Sequence, residues 1–277
     1  MRILVVGGSG FLGGELIRRS IAAGLDVVAT YRRRSGTGSG SGLDWRPLDI
    51  RRRSDVVALL AAVSPDVVVN AAYVQADWTT TADGAAHVAV AAADAGARLV
   101  HVSSDAVFSG AAVVYDELSV PDPVNAYGAA KAAAETVVKA VAPSSVIART
   151  SLIVGDGGSP HERFVHDLAA GRRSGVLFTD DICCPVHVSD LASALLELAV
   201  SDRSGVCHVA GADALSRYEL GLLVAQRDGL DPDLLTTGTR AALGPPGPLD
   251  VRLDCRSTQQ HLRTRLRGAR EFLTPST

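Results

Sequence analysis

Short apolar runs rich in β-branched residues alternate with helix-length segments along the first 150 residues of the chain. The apolar runs are residues 2–6, 25–30, 65–70, 98–103 and 145–150, and the segments between them are 11–23, 54–63, 80–96 and 126–141. Strands that alternate with helices indicate βαβ units, and continuous apolar strands fit a parallel sheet covered on both faces. We therefore predict an α/β fold built on a Rossmann-type, doubly wound parallel sheet.

The alternation weakens after about residue 150. The segments "GDGGSPHERF" (155–164) and "LGPPGPL" (243–249) indicate loops, and helices are predicted at 189–200 and 216–227 with a strand at 205–210. We interpret residues 151–277 as a smaller C-terminal substrate-binding lobe, partly interleaved with an NAD(P)-binding domain over residues 1–150.

Local signals mark two helix starts and one loop. Ser54 precedes "DVVALLAAV" and is predicted to be its N-cap, and Ser216 with Glu219 has the Ser-x-x-Glu spacing of a capping box. The run "RRRSGTGSGSG" (32–42) is predicted to be a flexible loop because glycine and serine dominate it.

Composition excludes several classes of function. The 277 residues are 47% hydrophobic and 21% charged with a net charge of −3, a balance that gives no reason to expect a nucleic acid or a membrane as partner. No uncharged apolar run reaches the roughly 18 residues that a membrane span needs. Cys183, Cys184, Cys207 and Cys255 contain no C-x-x-C spacing, so we expect reduced thiols in a cytoplasmic protein.

Metal binding is not expected. His161, Glu162 and His166 are the one local group of metal-ligand residue types, and no matching cluster stands elsewhere in the sequence. We interpret these three side chains as part of a loop and helix surface.

A glycine-rich loop follows the first predicted strand. Gly7, Gly10 and Gly13 have the G-x-x-G-x-x-G spacing and lead into the first predicted helix. A dinucleotide-binding turn needs glycine at the tight bend, at the closest approach to the pyrophosphate, and where helix meets strand. The free N–H groups and the positive dipole end of the helix then favour phosphate. The context predicts a dinucleotide cofactor.

The end of the second predicted strand selects between the two nicotinamide dinucleotides. NAD enzymes commonly place an acid there for the ribose hydroxyls, whereas this chain has "TYRRRSG" with Arg32, Arg33 and Arg34. Guanidinium groups bind phosphate in a fork geometry and attract the 2′-phosphate of NADP. We therefore predict NADP, with NADPH preferred over NADH, and expect at least one of the three arginines to be only solvated.

Tyr127 and Lys131 lie four residues apart in the stretch "VNAYGAAKAAAETVV" (124–138), which contains the start of the predicted helix 126–141. Residues at this spacing share one helix face, and a cation close to a phenol lowers its pKa from about 10. The pair is therefore typical of a tyrosine used for acid-base chemistry. Spacing alone also fits a half-buried tyrosine beside a solvated lysine, so both interpretations stay open at this point.

Further motifs stand in register with this pair. They are "PLDI" (47–50), "PDVVVNAA" (65–72), "SSDAVFSG" (103–110) and "NAYGAAKAAAE" (125–135). Together with the glycine loop they resemble the extended short-chain dehydrogenase/reductase superfamily, and within it the sugar-nucleotide branch that includes dTDP-4-dehydrorhamnose reductase. The resemblance covers nearly the whole chain and is more diffuse after residue 150.

The resemblance implies roles for individual residues. Tyr127 would protonate the substrate carbonyl, Lys131 would bind the nicotinamide ribose and lower the tyrosine pKa, and Ser104 would donate a hydrogen bond to the same carbonyl oxygen. The implied cofactor contacts are Gly7, Ser9, Gly10, Phe11, Leu12, Gly13, Arg32, Arg33, Asp49, Ile50, Ala71, Ala72, Tyr73, Val102, Tyr127 and Lys131. Asp49 and Ile50 resemble the adenine-contacting pair.

Possible substrate contacts are Gln75, Trp78, Asp105, Asn125 and Arg149. Trp78 could instead pack in the core, and Arg149 could instead be a buried ion-pair partner. The substrate is expected to be a small carbonyl compound, and a homodimer formed through helices is compatible with this fold.

The sequence departs from the family pattern at three places. Thr81 stands where many relatives have an asparagine, which puts a proton relay there in doubt. "YVQADWTTT" (73–81) has only Asp77 where rhamnose-pathway reductases are acid-rich, so no metal is carried over. Cys183 and Cys184 stand where relatives often offer a basic residue for a phosphate, which weakens the case for a nucleotide-diphosphate sugar.

These patterns favour an NADP-dependent reductase that reduces the ketone of a sugar nucleotide or a similar polar metabolite. An epimerase or dehydratase of the same fold is an alternative, and it would retain its nicotinamide cofactor through purification. A non-catalytic NADP-binding regulatory subunit, like that of methionine adenosyltransferase, is a third. Such a subunit would co-purify with a specific partner and turn over no carbonyl compound.

Overall fold

The computed structural model describes residues 1–33, 43–244 and 247–274. Within them the strands, numbered β1 to β15 in chain order, are Arg2–Val6, Asp26–Tyr31, Asp44–Pro47, Val67–Asn70, Arg98–Ser104, Val114–Tyr115, Val146–Thr150, Ile153–Val154, Leu177–Phe178, Ile182–Cys183, Val186–His187, Gly205–His208, Leu215–Ser216, Thr237–Gly238 and Arg252–Leu253.

The α-helices of the same residues, numbered α1 to α10, are Phe11–Ala22, Arg53–Val63, Gly84–Asp94, Ala126–Val141, Pro160–Ala169, Val188–Ala199, Arg217–Asp228, Arg240–Leu243, Arg256–Gln259 and Ala269–Phe272. A π-helical turn at Thr79–Asp83 leads into α3, and short 3-10 helices lie at Asp105–Val107 and Pro232–Leu234.

Seven strands form the central sheet in the order β12-β7-β5-β4-β1-β2-β3. The pairs β1–β2, β2–β3, β1–β4 and β4–β5 are parallel, and Leu4 of β1 lies between Val28 of β2 and Val68 of β4. The chain first adds strands on one side of β1 and then on the other. Ligands of such sheets bind beyond the carboxyl ends of the strands at this reversal. The predicted Rossmann-type parallel sheet is confirmed.

The described chain divides into two compact units that interleave along the sequence. The first consists of residues 1–103, 129–148 and 192–207, and the second of residues 104–128, 149–191 and 208–277. The predicted assignment of cofactor binding to residues 1–150 and substrate binding to 151–277 concerns function, and it stays a prediction.

Each unit has its own apolar core. In the first unit, sheet residues such as Leu4 and Val68 are fully buried against Leu60 of α2 and Val88 of α3. This packing explains why the strands are apolar throughout, since helices cover the sheet. The second unit buries side chains of α5 and α7, including Val165, Leu220 and Val224, around strand residue Leu177.

The helix starts were predicted with mixed success. Ser216 Oγ accepts a hydrogen bond from Glu219 N, and the Glu219 carboxylate accepts one from Ser216 N, which confirms the capping box. Ser54 is not the N-cap of α2, because that helix begins at Arg53 and Arg52 stands at the cap without a side-chain bond. The Ser54 hydroxyl instead donates to Asp55.

One predicted loop contains a helix start, and two others lie partly outside the described residues. The segment 155–164 is not a loop throughout, because α5 starts at Pro160 with a capping box between Ser159 and Glu162. The glycine-serine loop of residues 32–42 lies outside the described residues except for Arg32 and Arg33, and so do Pro245 and Pro246 of the loop 243–249. Among the helices that the structure describes, none has the length and apolar character to cross a membrane.

Candidate active site

The glycine loop between β1 and α1 forms a tight phosphate-type turn. Gly7 has a φ of 85°, a left-handed conformation that favours glycine, and its carbonyl accepts a hydrogen bond from Gly10 N at 3.0 Å. A side chain on Gly13 would overlap the Gly7 carbonyl oxygen, so helix and loop can pack this closely only with glycine there. Gly10 caps α1 without a side-chain hydrogen bond, and no acid stands in its first turn. The helix end is therefore suited to an anion.

A cavity of about 280 Å³ lies beside this loop in the first unit. Nine of the predicted cofactor contacts line it, namely Gly7, Ser9, Gly10, Arg32, Arg33, Ile50, Ala71, Ala72 and Tyr73. Phe11, Leu12 and Gly13 are the first residues of α1. The structure thus brings the glycine loop together with the ends of β2 and β4, as the strand order requires.

Sequence reasoning missed several residues of this cavity. Thr30, Leu48, Val74 and Thr80 also line it. Thr30 Oγ1 accepts a hydrogen bond from Gly7 N at 3.0 Å and so holds the loop to β2. A threonine near a strand end is ordinary in sequence, so only the fold reveals this contact.

Arg32 and Arg33 are exposed at the cavity, and Arg34 lies outside the described residues. Asp49 does not line the cavity. Its carboxylate accepts hydrogen bonds from the Arg51 guanidinium at 2.6 to 3.1 Å, and this contact holds the pKa of Asp49 at about 2. Ile50 thus lies at the cavity wall and the Asp49 side chain is bound to Arg51, and the adenine contact of this pair stays a prediction.

Lys131 is buried in α4 near two other predicted cofactor residues. Its ammonium donates to Val102 O at 2.8 Å and stands 5.3 Å from the centre of the Tyr73 ring. Burial lowers the pKa of Lys131 to about 8, against the opposing effect of Glu135. Burial, and secondarily the charge of Lys131, lowers the pKa of His101 to about 3, so that histidine is neutral and adds no second cation.

Glu135, one helix turn after Lys131, holds α4 against strand β5. Its side chain is fully buried and accepts a hydrogen bond from Ser103 Oγ at 2.6 Å. This contact ties α4 to the end of β5, directly before Ser104. Sequence reasoning did not single out Glu135, although a glutamate in an alanine-rich helix face was a visible signal.

Tyr127 lies one turn before Lys131, in the first turn of α4. Asn125 Oδ1 accepts a hydrogen bond from Gly128 N at 2.8 Å, so this predicted substrate contact also caps the helix. A side chain on Gly128 would overlap the carbonyl oxygen of Ala106. The first turn of α4 therefore packs directly on the turn that follows Ser104, and this places Tyr127 and Ser104 on neighbouring backbone segments of the second unit.

Ser104 ends β5 and is hydrogen-bonded to its neighbour Asp105. Ser104 Oγ donates to Asp105 Oδ1 at 3.1 Å, and Ser151 Oγ donates to Asp105 Oδ2 at 2.6 Å. Burial raises the pKa of the Asp105 carboxyl, against the opposing effect of the Ser151 hydrogen bond. The predicted substrate contact Asp105 is thus already engaged by two hydroxyl groups.

A second cavity, of about 440 Å³, lies entirely in the second unit. Apolar side chains from α5, α7 and β9 form most of its wall, and the charged members include Asp181, Arg217 and Arg240. Arg217 Nε and Arg240 Nε each donate to Asp181 Oδ2 at 3.1 Å, and Arg240 Nη2 also contacts that oxygen. Two cations therefore converge on one carboxylate, so this cluster of three side chains carries one net positive charge.

The remaining predicted residues take different positions. Gln75 is exposed, and Trp78 is 49% exposed, so the alternative that Trp78 packs in the core is wrong. Arg149 is fully buried, donates to Ser119 O at 3.1 Å and lies over the Phe108 ring. This burial and these contacts favour a structural role for Arg149 over a substrate contact. Thr81 is buried, and its hydroxyl donates to Val74 O and accepts from Val74 N.

Comparison with known proteins assigns the family. Residues 1–275 match the family described as RmlD substrate binding domain. The chain is 30% identical to the spore coat polysaccharide biosynthesis protein SpsK of Bacillus subtilis, over 86% of this chain and 83% of that protein. It is 29% identical to the dTDP-4-dehydrorhamnose reductase of Mycobacterium tuberculosis, over 89% of this chain and 82% of that enzyme.

The fold is shared as well. The crystal structure of a hypothetical dTDP-4-dehydrorhamnose reductase from Sulfolobus tokodaii superposes with a TM-score of 0.83 at 28% identity, over 96% of this chain and 97% of that one. The predicted superfamily is confirmed. The chain belongs to the RmlD substrate binding domain family of the extended short-chain dehydrogenase/reductase superfamily, and it is an NAD(P)-dependent reductase.

Proposed function

We propose that this protein uses NADPH to reduce the ketone of a sugar nucleotide, with Ser104, Tyr127 and Lys131 as the catalytic residues. The observation that carries the proposal is the packing of Gly128 on the Ala106 carbonyl, which sets the Tyr127 turn of α4 beside the turn that follows Ser104. Lys131 lies one helix turn further on, next to two residues predicted to contact the cofactor, Tyr73 and Val102.

The first cavity fits a dinucleotide. The glycine loop leaves room that any side chain on Gly7 or Gly13 would fill, and the start of α1 offers N–H groups to phosphate oxygens. Arg32 and Arg33 stand exposed at the cavity and support a 2′-phosphate. Ala71, Ala72 and Tyr73 would line the nicotinamide side, and Ile50 the adenine side. When bound, NADPH would supply the hydride.

The chain's own groups would manage the charge that develops on the carbonyl oxygen. Tyr127 would give its phenolic proton to this oxygen, and Ser104 would donate a hydrogen bond to it. The Lys131 ammonium would bind the nicotinamide ribose and favour the phenolate left after proton transfer. Because the pKa of Lys131 is lowered only to about 8, most of the Lys131 population is charged at neutral pH.

The second cavity supports a nucleotide portion on the substrate. Arg217 and Arg240 supply positive charge there, and this supports the proposal although Cys183 and Cys184 stand where relatives often offer a basic residue. Apolar walls with a few charged groups are typical of sites for organic anions. The names of the M. tuberculosis relative and of a Streptomyces niveus relative, dTDP-4-keto-6-deoxy-D-glucose reductase, point to the same substrate class.

The test is NADPH oxidation with a keto-sugar nucleotide, the matching free keto sugar and a simple ketone. We expect the nucleotide to be preferred in kcat/KM by about 10- to 150-fold, the range of one charge-assisted hydrogen bond. Arg240→Met should reduce this preference, whereas Arg256→Met, whose side chain is 88% exposed, should leave it unchanged. Equal kcat/KM for the nucleotide and the free sugar would contradict the assigned substrate class.

A further inference from the structure

The carboxyl group of Asp105 bridges two serine hydroxyls in the second unit. Ser104 Oγ donates to Oδ1 at 3.1 Å and Ser151 Oγ donates to Oδ2 at 2.6 Å. Each serine oxygen also accepts a backbone N–H, from Ala106 at 3.2 Å and from Cys184 at 3.2 Å. Both hydroxyl orientations are therefore set from two sides.

This arrangement has a consequence for the proton of Ser104. A serine hydroxyl has a single proton, and here that proton points to Asp105. The same proton would be needed to stabilise a substrate carbonyl oxygen. While Asp105 is ionised, its carboxylate accepts only and competes with the substrate for the Ser104 proton. When Asp105 is protonated, its own O–H can donate to Ser104 Oγ, and the Ser104 proton becomes free to point elsewhere.

We propose that Asp105 is a positioning residue that determines whether Ser104 can donate its hydroxyl proton to the substrate. The inference rests on the role proposed for Ser104. In the donating arrangement Asp105 gives a hydrogen bond to Ser104, and Ser104 gives one to the substrate carbonyl. Asp105 takes up the required proton from solvent when its carboxylate is protonated. The hydrogen bond between Asp105 and Ser104 then reverses its direction, and the Ser104 proton forms a new hydrogen bond to the substrate carbonyl oxygen.

The surroundings of Asp105 favour the protonated form more than those of an ordinary aspartate. Burial raises its pKa, and the charge of Asp181 acts in the same direction. Ser151, Ser104 and the charge of Arg217 oppose this rise. The thiols of Cys183 and Cys184 also face Asp105, but burial raises the pKa of each to about 12, so both are neutral and contribute no charge.

The experiment measures the contribution of Ser104 as the ratio of kcat with and without its hydroxyl. The first pair is wild type and Ser104→Ala. The second pair is Asp105→Asn and the double variant that carries both Asp105→Asn and Ser104→Ala. Taking each ratio at the same pH cancels the titration of Tyr127 and Lys131, which is common to both members. Asparagine can accept from Ser151 and always donate to Ser104, so it imitates the protonated acid.

In the wild-type background we expect a Ser104 ratio of up to about 10²-fold at low pH, the scale of one oxyanion donor, that falls as pH rises through the pKa of Asp105. In the Asp105→Asn background the ratio should stay constant across the same pH range. A wild-type ratio that does not change with pH, or the same pH dependence in both backgrounds, would overturn the proposal.

Ser151→Ala gives an independent reading that leaves Asp105 in place. It removes a hydrogen bond that stabilises the carboxylate, so the fall in the Ser104 ratio should move to higher pH. If the Ser104 ratio falls at the same pH in Ser151→Ala as in wild type, the proposal is contradicted. Tyr127→Phe is measured alongside and separates the two hypotheses. A wild-type kcat in Tyr127→Phe would refute the proposed function. A large loss of kcat in Tyr127→Phe, together with Ser104 ratios that do not change with pH, would refute only the role of Asp105.

Discussion

Lys131→Met is expected to stabilise the folded protein while it impairs catalysis. The Lys131 side chain is 3% exposed, and its burial lowers the pKa from 10.5 to about 8. This interval corresponds to about 3 kcal/mol of free energy that disfavours the charged form in the folded state. The variant loses the hydrogen bond to Val102 O, which offsets about 1.5 kcal/mol. The free energy of unfolding at pH 7 should therefore rise by about 1–2 kcal/mol.

The pH dependence supplies the sharper test. The folded-state pKa lies below the unfolded one, so the unfolded chain binds more protons between pH 8 and pH 10.5. The free energy of unfolding of the wild type must then rise with pH across that window, and the advantage of the variant must shrink. Urea unfolding at neutral pH and across the window, with unchanged m-values, measures both quantities.

The control is Lys139→Met, in the same helix but 47% exposed, which should change stability by less than about 0.5 kcal/mol. A Lys131→Met variant that is less stable than wild type at pH 7 would refute the reasoning. So would a stability difference that stays constant up to pH 10.5.

Two further predictions concern catalysis and cofactor choice. Tyr127→Phe should reduce kcat by about 10²-fold or more while NADPH binding is kept, because only the proton donor is removed; activity within a few-fold of wild type in an NADPH-oxidation assay would contradict this. NADPH should bind about 10- to 150-fold more tightly than NADH, less so as salt rises, and Arg32→Ala or Arg33→Ala should remove most of that preference. Titration of both cofactors at two salt concentrations tests it, and equal wild-type affinities would show that the arginines are only solvated.

The central sheet could be predicted because its strands are short apolar runs that stand out against helix-length segments. Strand β1 and helix α4 have the predicted bounds to the residue. Strand β3 was missed because Asp44–Pro47 is a largely exposed edge strand with one partly buried residue, Trp45, so no apolar run marks it. Propensity alone carries little information at such an edge.

The start of α5 could have been predicted and was not. The helix start is marked by an N-cap serine, a first-turn proline and a capping-box glutamate, which are Ser159, Pro160 and Glu162. The glycines before them made the segment resemble a loop. Arg217 and Arg240 are a different case. They lie 23 residues apart in sequence and meet at Asp181 only through tertiary structure, so no local pattern contains the positive character of that cavity.

Thr81 stands where the family resemblance predicts an asparagine, and a relay through it is one route by which the proton proposed to leave Tyr127 could return. A relay group must exchange a donor and an acceptor contact, but the Thr81 hydroxyl donates to Val74 O at 2.8 Å and accepts from Val74 N at 3.2 Å. Its one proton is committed to the backbone, so we expect no relay there.

Thr81→Val keeps the shape of the side chain and should lower the free energy of unfolding by about 1–3 kcal/mol, because two Val74 backbone groups lose a hydrogen-bond partner. Its kcat should stay within about 3-fold of wild type, since no step of general acid catalysis passes through it. Stopped-flow turnover with a solvent isotope effect measures this, and a kcat loss of about 10-fold or more with an altered isotope effect would show that the proton does travel through Thr81.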